Sequence, residues 1–347
     1  MNLYRFNQSI PCSFLIVEEY ITISVAALLN IFILIFTEAG RAVDIFALNL
    51  IIIAAILGVA FVHKRFAHAW MQFFRDWYPP AFLIVIYLEN RRLIPLVNPH
   101  DLDGLLIKID RFLFLGQDPT ILMESITWPI LSEILQAAYA SFYFLPFALG
   151  VVVYRTRPRI DFHINVATLL TGFYLTFIGY YLTPAIGPRF TLDHLQTFPL
   201  EGVFWFDCIR TALDRAEGLM RDCCPSGHTM ISMLTVLLAR RYARAFFPAA
   251  CIWAILIIIS SVYLRYHYVI DLIAGVFLSI WVYWFCPAMV EALIFRPGAK
   301  KLFPQRRKGA EDNALKGCFP LRLSASAREI EKNNAPRKQV SLFFGNP

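Results

Sequence analysis

Charged residues are scarce in this sequence. Asp, Glu, Lys and Arg together make up 16% of the 347 residues, whereas 58% are hydrophobic. Because soluble domains carry about 25% charged residues, this composition argues against an ordinary soluble domain and favours a membrane protein with several spans. Internal repeats and low-complexity arrays are also lacking, so a repeat architecture is not expected.

A clear cleavage site is lacking near the N-terminus. Glu18 and Glu19 stand at the start of the first apolar run, and no small-residue cleavage site clearly follows that run. We therefore expect the run to be a membrane anchor rather than a cleaved signal peptide.

Apolar runs, by contrast, are plentiful, and eight of them come close to the roughly 20 residues that span a bilayer as a helix. The sequence therefore predicts an all-α fold, a polytopic transmembrane helical bundle of about eight spans. Glu89, Arg91 and Arg92 interrupt the third run. The predicted spans are residues 19–37, 43–62, 77–97, 130–153, 164–182, 225–239, 245–264 and 267–290.

The basic excess lies at the C-terminal end. From Pro297 onward, eleven Lys or Arg stand against four acids, an excess equal to the net charge of +7 for the whole chain. We expect residues 296–347 to form a disordered, basic tail that touches anionic lipid headgroups on the cytoplasmic face. Nucleic-acid binding is the less favoured interpretation of the tail, and no nucleic-acid partner is expected.

Three basic loops predict the orientation in the membrane. Residues 63–66, 154–159 and 240–244 fall on the same side as the tail if the N-terminus is inside and the spans alternate. Because cytoplasmic loops carry an excess of Lys and Arg, both termini are expected in the cytoplasm. This assignment is consistent apart from Arg91 and Arg92, which land on the other side. The expected location is a bacterial inner membrane or an equivalent membrane.

The same alternation brings three distant segments to the extracytoplasmic edge. They are "PAIGPR" after the fifth span, "CCPSGHT" at the start of the sixth, and "LRYHYVID" between the seventh and the eighth. Two His, an Asp and Arg side chains at one depth of one leaflet indicate a reaction centre. The candidate site residues are Arg189, Ser226, Gly227, His228, Arg265, His267 and Asp271.

His267 and Asp271 are four residues apart in the sequence. On a helix, this spacing puts both side chains on one face within hydrogen-bonding reach. A carboxylate on one imidazole nitrogen fixes the tautomer and makes the other nitrogen a better base or nucleophile. An ionisable residue one turn inside an apolar span is costly and indicates function. The alternative is a structural pair that holds two helix ends together.

The "PSGH" stretch predicts the start of a helix. Pro suits the first turn, and Ser226 and Gly227 there leave free N–H groups that attract phosphate. His228, just inside the helix, is positioned to give a proton to a leaving oxygen. The alternative is an ordinary N-cap followed by a His at a wet interface.

Arg189 follows Pro184, Gly187 and Pro188, which break the helix and hold the guanidinium at the surface. The fork of an Arg donates two hydrogen bonds to a phosphate at once. A lone Arg at the end of a span could equally snorkel. Taken together, phosphate donors, a proton donor and a His supported by an Asp indicate phosphoester transfer through a phosphohistidine.

These motifs resemble a known family. "PSGH" and "HYVID", whose histidines are 39 residues apart, are similar to the type 2 phosphatidic acid phosphatase (PAP2) superfamily of membrane phosphatases and phosphotransferases. "PAIGPR" and "YLRYHYVIDLIAG" resemble the branch that contains inositol phosphorylceramide synthase, and "KIDRFLFLGQDPT" does so less specifically. "SGHT" and "HYxxD" also resemble sphingomyelin synthases. The resemblance covers roughly residues 130–290.

The resemblance implies a six-helix PAP2-like core within a catalytic region at residues 125–295. Residues 1–124 would supply N-terminal spans and, over 101–119, an amphipathic interfacial helix with a turn. By position, the resemblance implies that His267 accepts the phosphate, Asp271 orients His267, and His228 protonates the departing alcohol. Arg189 and the Ser226–Gly227 turn would hold the phosphate. Neither a metal nor a cofactor is expected.

The family pattern is incomplete in this chain. The first motif usually has a Lys seven residues before its Arg, where this chain has Leu182. The third motif usually has an Arg six residues before the nucleophile, where this chain has Ser261. Arg265 is the candidate replacement for one of these two cations. The synthase-like branch tolerates both absences. The missing cations therefore argue against an ordinary phosphatidate phosphatase more than against enzymatic activity.

Three cysteines share the predicted extracytoplasmic loop: Cys208, Cys223 and Cys224. In an oxidising compartment, Cys208 could form a disulfide with either of the other two and clamp the loop beside His228. A zinc site made of Cys223, Cys224 and His228 is another interpretation, but it has no clear fourth ligand.

The sequence leaves three hypotheses for function. The first is an integral membrane lipid-phosphate phosphatase that passes phosphate to water through a phosphohistidine. The alternative is a phosphotransferase of the inositol phosphorylceramide synthase or sphingomyelin synthase type, which passes a phospho-headgroup to a lipid alcohol. The third is a non-catalytic lipid-binding or transport protein on the same scaffold. A lipid phosphate substrate and membrane lipids are the expected partners; the oligomeric state stays open.

Overall fold

The fold is all-α, as the sequence predicts. The computed structural model describes residues 14–38, 40–66, 68–217 and 221–294, and these residues form helices but no strand. The predicted basic tail at 296–347 lies outside the described residues.

The described residues form fourteen α-helices, with short 3-10 helices at Met123–Ile126, Ser141–Tyr143 and Asp193–Leu195. The α-helices are α1 (Val17–Phe36), α2 (Val43–Arg65), α3 (Ala69–Trp77), α4 (Ala81–Val97), α5 (Asp103–Leu113), α6 (Pro119–Leu122), α7 (Pro129–Ala140), α8 (Phe144–Thr156), α9 (Arg159–Leu182), α10 (Pro188–Thr191), α11 (Phe206–Glu217), α12 (Gly227–Tyr242), α13 (Phe247–Tyr263) and α14 (Val269–Ile294).

Five helical segments among the described residues are long and apolar enough to cross a membrane. They are α1, α2, the continuous stretch Pro129–Thr156 that joins α7 to α8, α9, and Val269–Val290 of α14. Helix α13 is a shorter apolar helix. These segments correspond to six of the predicted spans.

The other two predicted spans correspond to shorter helices. The run 225–239 becomes α12, which has 16 residues, and the run 77–97 becomes α4, which has 17 residues. Helix α4 begins later than predicted because α3 ends at Trp77, and Pro79 and Pro80 separate the two helices. A proline ring lacks the N–H that a continuous helix would need.

Helix α9 is the centre of the bundle. Fifteen of its residues are buried, and it packs against α1, α4, α8, α12 and α14. A Cβ on Gly179 would lie 2.4 Å from Cδ of Pro225, and a Cβ on Gly172 would lie 2.9 Å from Leu234. Small residues let helices approach closely. Helix α9 therefore packs tightly against α12 and the Pro that precedes it.

Buried ion pairs join α1, α3 and α9 at one end of the bundle. Arg75 donates to both carboxylate oxygens of Glu19, at 2.8 and 2.7 Å. Asp76 forms an ion pair with Arg159. Because buried charges are costly unless they are paired, these contacts fix the three helices relative to one another. No sequence pattern predicts this cluster.

The same end carries the predicted basic loops. Arg75 contacts Nδ1 of His63 at 3.0 Å. Arg157 donates from Nε to the carbonyl oxygen of Tyr242 at 2.7 Å, which joins the start of α9 to the end of α12. The three basic loops are therefore grouped at one end of the helices, as the alternating topology requires.

Gly275 of α14 faces the start of α12. A Cβ at this position would lie 2.8 Å from the carbonyl oxygen of Ser226 and 3.2 Å from the amide nitrogen of Met230. We expect Gly275→Ala to lower the free energy of unfolding by about 1–3 kcal/mol, because overpacking pushes the two helices apart. Thermal unfolding in detergent measures the effect. Gly58→Ala is the matched control, since a Cβ there would meet no atom within 4 Å beyond the adjacent residues and backbone of its own helix. Equal melting temperatures for the two variants would contradict the close packing of α14 on α12.

Candidate active site

Ser226 precedes α12 and is buried. Its hydroxyl oxygen accepts a hydrogen bond from the N–H of Thr229 at 3.2 Å, with an extended backbone at Ser226. The side chain is therefore the N-cap, which was the alternative interpretation of "PSGH". Gly227 is confined as well, because a Cβ there would lie 2.9 Å from the hydroxyl oxygen of Tyr180. The turn that carries His228 is thus fixed by α12 itself and by α9.

His267 lies just before α14, which begins at Val269. Nδ1 of His267 lies 2.8 Å from the carbonyl oxygen of Cys223. Because a carbonyl oxygen can only accept, Nδ1 carries the proton and Nε2 keeps its lone pair. The segment before "PSGH" therefore sets both the position of the ring and its tautomer.

Asp271 lies close to His267 but does not form a hydrogen bond with it. Its Oδ2 is 3.7 Å from Nδ1 of His267 and accepts instead from the N–H of Tyr268 at 3.0 Å and from Sγ of Cys223 at 2.8 Å. The two residues are neighbours, as predicted, but they do not share a helix face, because His267 precedes the first turn of α14.

Cys223 connects these two residues. Its thiol donates to Asp271 and its carbonyl accepts from His267. Burial, and then the negative charge of Asp271, raise the pKa of the Cys223 thiol well above its ordinary value, so the thiol stays a donor. Cys208, Cys223 and Cys224 are all free, so the structure does not contain the disulfide considered from the sequence. No sequence pattern predicts a thiol–carboxylate contact between residues 48 positions apart.

Cys223, His267 and Asp271 also bring three potential metal-ligand atoms within 4.8 Å of one another. Both Nδ1 and the thiol already make hydrogen bonds, to a carbonyl and to the carboxylate. A metal would have to replace these bonds and deprotonate the thiol, whose pKa is raised. The donors therefore fit a hydrogen-bonded network better than a metal site. His228 is outside this cluster, so the described residues do not assemble the zinc set considered from the sequence.

His228 lies in the first turn of α12 and is half-buried. Its ring stacks on Tyr139 with 4.0 Å between centroids and contacts Phe142 at 4.3 Å. The ring centroid of His267 is 5.8 Å away. Tyr266 also stacks on Tyr139, at 4.4 Å. The structure thus brings the two predicted histidines together, beside aromatic residues that sequence analysis missed.

Arg189 lies in α10, next to this aromatic stack. Both terminal nitrogens donate to the carboxylate of Asp214 in α11, at 2.7 and 2.9 Å, and the guanidinium carbon lies 5.7 Å from the ring centroid of Tyr266. The hydrogen bonds and charge of Arg189 hold the pKa of Asp214 below its ordinary value. Arg189 therefore binds an internal carboxylate with the same two-point geometry that it would use for a phosphate.

Arg265 has a different environment. Nη1 donates to Gln196 at 2.7 Å and to the carbonyl of Phe198 at 3.0 Å, and Nη2 donates to Glu124 at 2.8 Å. The residue is 3% exposed, and its φ of 66° lies in the left-handed region, where the chain turns from α13 towards α14. These partners satisfy both terminal nitrogens, so they compete with the predicted role of Arg265 as a phosphate ligand.

Helix α5 confirms the helix predicted within residues 101–119, and its Asp110 fixes the start of α14. The carboxylate of Asp110 accepts from the N–H groups of Val269 and Ile270, at 2.8 Å each. The first N–H groups of a helix have no partner within the helix. A carboxylate from a distant helix therefore caps the element that follows His267.

A second carboxylate of α5, Asp103, fixes the loop before Arg189. Asp103 accepts from the N–H of Gly187 at 2.9 Å and from the hydroxyl of Tyr268 at 2.8 Å. Gly187 has a φ of 100°, which favours glycine, and a Cβ there would lie 2.7 Å from the carbonyl oxygen of Tyr266. One side chain thus links the Arg189 loop to the residue next to His267. The sequence does not predict that Asp103 and Asp110 contribute to the site, because acids on an amphipathic helix carry no signal of their partners.

Most of the residues described above lie in a region that matches a known protein family. The family model described as PAP2 superfamily matches residues 105–285, a little over half of the chain, and the chain belongs to that superfamily. The match begins within α5, which is earlier than the resemblance noted from the motifs alone. Membership and the five apolar helices make the chain an integral membrane protein.

A curated relative is a PA-phosphatase related-family protein of Dictyostelium discoideum, 25% identical over 183 residues. The alignment covers 47% of this chain and 33% of the relative, so the chain matches only about a third of that relative's length. No solved structure gives a significant match.

The three loop cysteines differ in exposure and therefore in expected reactivity. Cys208 is exposed, whereas Cys223 and Cys224 are buried and have raised thiol pKa values, chiefly because of burial. Since the thiolate is the reactive form, we expect a maleimide to modify Cys208 in the folded protein without reductant, and the other two only after denaturation. Mass spectrometry of the peptides measures this. Modification of Cys208 that requires prior reduction would instead indicate a disulfide.

Proposed function

We propose that this protein is a membrane phosphatase that cleaves a lipid phosphoester through a phosphohistidine on His267. The pair of histidines carries the proposal. Nδ1 of His267 is bonded to the Cys223 carbonyl, which leaves Nε2 as a nucleophile, and the His228 ring is 5.8 Å away between centroids. One imidazole is thus prepared for attack, and a second lies beside it for proton transfer.

The reaction has two steps, formation of the phosphohistidine and its hydrolysis. Nε2 of His267 attacks the phosphorus atom, the bond from phosphorus to the lipid oxygen breaks, and His228 gives that oxygen a proton. His228 then takes a proton from water while the water oxygen attacks phosphorus and the phosphorus–nitrogen bond breaks. The products are the lipid alcohol and inorganic phosphate, and both histidines return to their starting states.

The neighbouring charges support these steps. A phosphate on Nε2 leaves a positive charge on the His267 ring, and the Asp271 carboxylate at 3.7 Å stabilises that charge. Arg189 would release the Asp214 carboxylate and bind the phosphate oxygens in its place. Because none of these steps requires a metal, we propose that the activity persists in the presence of a chelator.

Two comparisons support hydrolysis. The chain belongs to the PAP2 superfamily, and its Dictyostelium discoideum relative is described as PA-phosphatase related. Transfer to a lipid alcohol, the reaction of the inositol phosphorylceramide synthase branch, shares the first step and differs in the acceptor. An assay with and without an alcohol acceptor separates the two.

We propose that the site faces the extracytoplasmic side and that both termini are cytoplasmic. The basic loops are grouped at one end of the helices through the contacts of Arg75 and Arg157, and an excess of Lys and Arg is typical of the cytoplasmic side. His228 and His267 lie at the opposite ends of α12 and of the α13–α14 pair from those loops.

Labelling of single cysteines in intact cells tests this orientation. We expect a membrane-impermeant maleimide to modify Cys208, which is exposed on α11, the helix whose Asp214 binds Arg189. An Arg240→Cys variant, at the exposed end of α12, should react only after the membrane is permeabilised. Mass spectrometry measures both modifications. The reverse pattern would place the site in the cytoplasm.

Activity assays on membranes that contain the full chain test the reaction, with EDTA present throughout. Tail-labelled phosphatidate, isoprenyl phosphate and phosphatidylinositol are offered with and without ceramide or diacylglycerol, and products are separated by thin-layer chromatography. We expect release of free phosphate from at least one lipid phosphate, and His267→Ala should abolish it. His228→Ala should lower kcat by roughly 10²–10⁴-fold, the usual contribution of a general acid.

His194→Ala is the control, because this histidine is exposed in the 3-10 helix Asp193–Leu195 and is not one of the two paired histidines. A new phospholipid that forms only with an acceptor would identify a transferase instead. Equal activity of wild type and His267→Ala would contradict the phosphohistidine.

A further inference from the structure

We infer that Arg210, together with Gln136 and Tyr266, forms part of the phosphate-binding site and supplies a cation that the chain lacks at Leu182 and Ser261. The inference rests on the proposed function, because it names groups that hold the phosphate of the substrate.

Arg210 lies in α11 with its guanidinium over the ring of Phe206, 5.6 Å from the centroid. Its Nε is buried and has no hydrogen-bond partner. The side chain forms no ion pair with any residue in the part of the chain that the structure describes. Asp214 is one turn further along α11, but its carboxylate is bound by Arg189. A buried N–H without an acceptor is costly, so the guanidinium is prepared for an acceptor that arrives from outside.

The positive charges around Arg210 favour an anion. Burial, and then the charge of Arg189, lower the pKa of Arg210, and Arg265 contributes in the same direction. Arg189 is paired with Asp214, and Arg265 is paired with Glu124. Arg210 is therefore the guanidinium of this group that has no carboxylate of its own among the described residues. An anion placed here would relieve the repulsion and satisfy the unpaired donor.

Two further polar side chains have no hydrogen-bond partner: Gln136 lies on α7, which packs against α11, and Tyr266 interacts electrostatically with Arg210. Gln136 of α7 is fully buried, and neither its amide nitrogen nor its amide oxygen makes a hydrogen bond. The Tyr266 hydroxyl is also buried and unpartnered, and it lies close to Gln136 without the geometry of a hydrogen bond. A buried polar group without a partner is costly, so these three groups favour a ligand that completes their hydrogen bonds.

The position of this group links it to the two histidines. Tyr266 precedes His267 in the chain, and its ring stacks on Tyr139, which in turn stacks on His228. The guanidinium of Arg189 lies over the same Tyr266 ring. An oxygen-rich anion held by Arg210 would therefore lie beside the residues that carry out the reaction.

The two positions that lack a cation cannot supply it. Leu182 is 70% exposed at the end of α9. Ser261 is buried in α13, where its hydroxyl donates to the carbonyl of Ile257 and its own carbonyl accepts from the N–H groups of Tyr266 and His267, at 3.0 Å in each case. A further cation for the phosphate would therefore come from another element, and α11 provides one.

Titration with inorganic phosphate tests the inference without requiring turnover. The purified full-length protein is heated in detergent at increasing phosphate concentration and constant ionic strength, and the rise in melting temperature gives the half-saturating concentration. Arg210→Gln keeps much of the packing but removes the charge, so this concentration should rise roughly tenfold or more, as expected for a lost hydrogen bond to a charged group. Arg210→Lys keeps the charge without the fork and should lie between Arg210→Gln and wild type.

Arg215→Gln is the matched control, since Arg215 is exposed on the same helix and its removal changes the net charge equally. Its half-saturating concentration should equal that of wild type. Equal values for Arg210→Gln and Arg215→Gln, or no stabilisation of the wild type by phosphate, would overturn the inference. If Arg210→Gln does not fold, the comparison of Arg210→Lys with Arg215→Gln decides in the same way.

The phosphate titration and the activity assay distinguish failure of this inference from failure of the proposed function. Weaker phosphate binding in Arg210→Gln, combined with lipid turnover that His267→Ala leaves unchanged, would keep this inference and reject the phosphohistidine. Unchanged phosphate binding, combined with turnover that His267→Ala abolishes, would reject this inference and keep the proposed function.

Discussion

The hydrogen bond from Nδ1 of His267 to the carbonyl oxygen of Cys223 joins the loop before α12 to the loop before α14. It is buried and 2.8 Å long, and it gives the imidazole one tautomer with Nε2 unprotonated. A neutral carbonyl holds the ring in place, while Asp271 acts from 3.7 Å and is itself bound by the Cys223 thiol. The site therefore depends on keeping these two loops together, and much of the surrounding structure has that effect.

Helix α5 and the close helix contacts keep the loops in position. In a membrane protein, irregular backbone is tolerated where other protein groups satisfy its N–H and C=O groups. Asp110 satisfies the first N–H groups of α14, and Asp103 satisfies those of the loop that leads to Arg189. Gly275 lets α14 approach the carbonyl of Ser226, so the helix that follows His267 packs closely against the helix that carries His228.

The cations around the site are in three different states. Arg265 is bound by Glu124 within a buried turn, Arg189 is bound by the half-exposed Asp214, and Arg210 has no carboxylate partner among the described residues. A bond to a buried carboxylate is harder to exchange for substrate than a bond to an exposed one, because removing the partner leaves a buried charge unpaired. This gradation separates a structural arginine from those available to a phosphate.

The sequence by itself determined the all-α membrane bundle and the identity of His228, His267, Asp271 and Arg189 as candidates, since span length, alternation and short motifs are local properties. Only the tertiary structure decided which groups those residues contact. His267 bonds to a carbonyl 44 residues away, and Arg265 pairs with a carboxylate 141 residues away. Whether a hydrogen bond forms depends on differences of a few tenths of an ångström in the donor–acceptor distance. Packing sets the relative position of the two segments, and no local sequence pattern encodes it that finely.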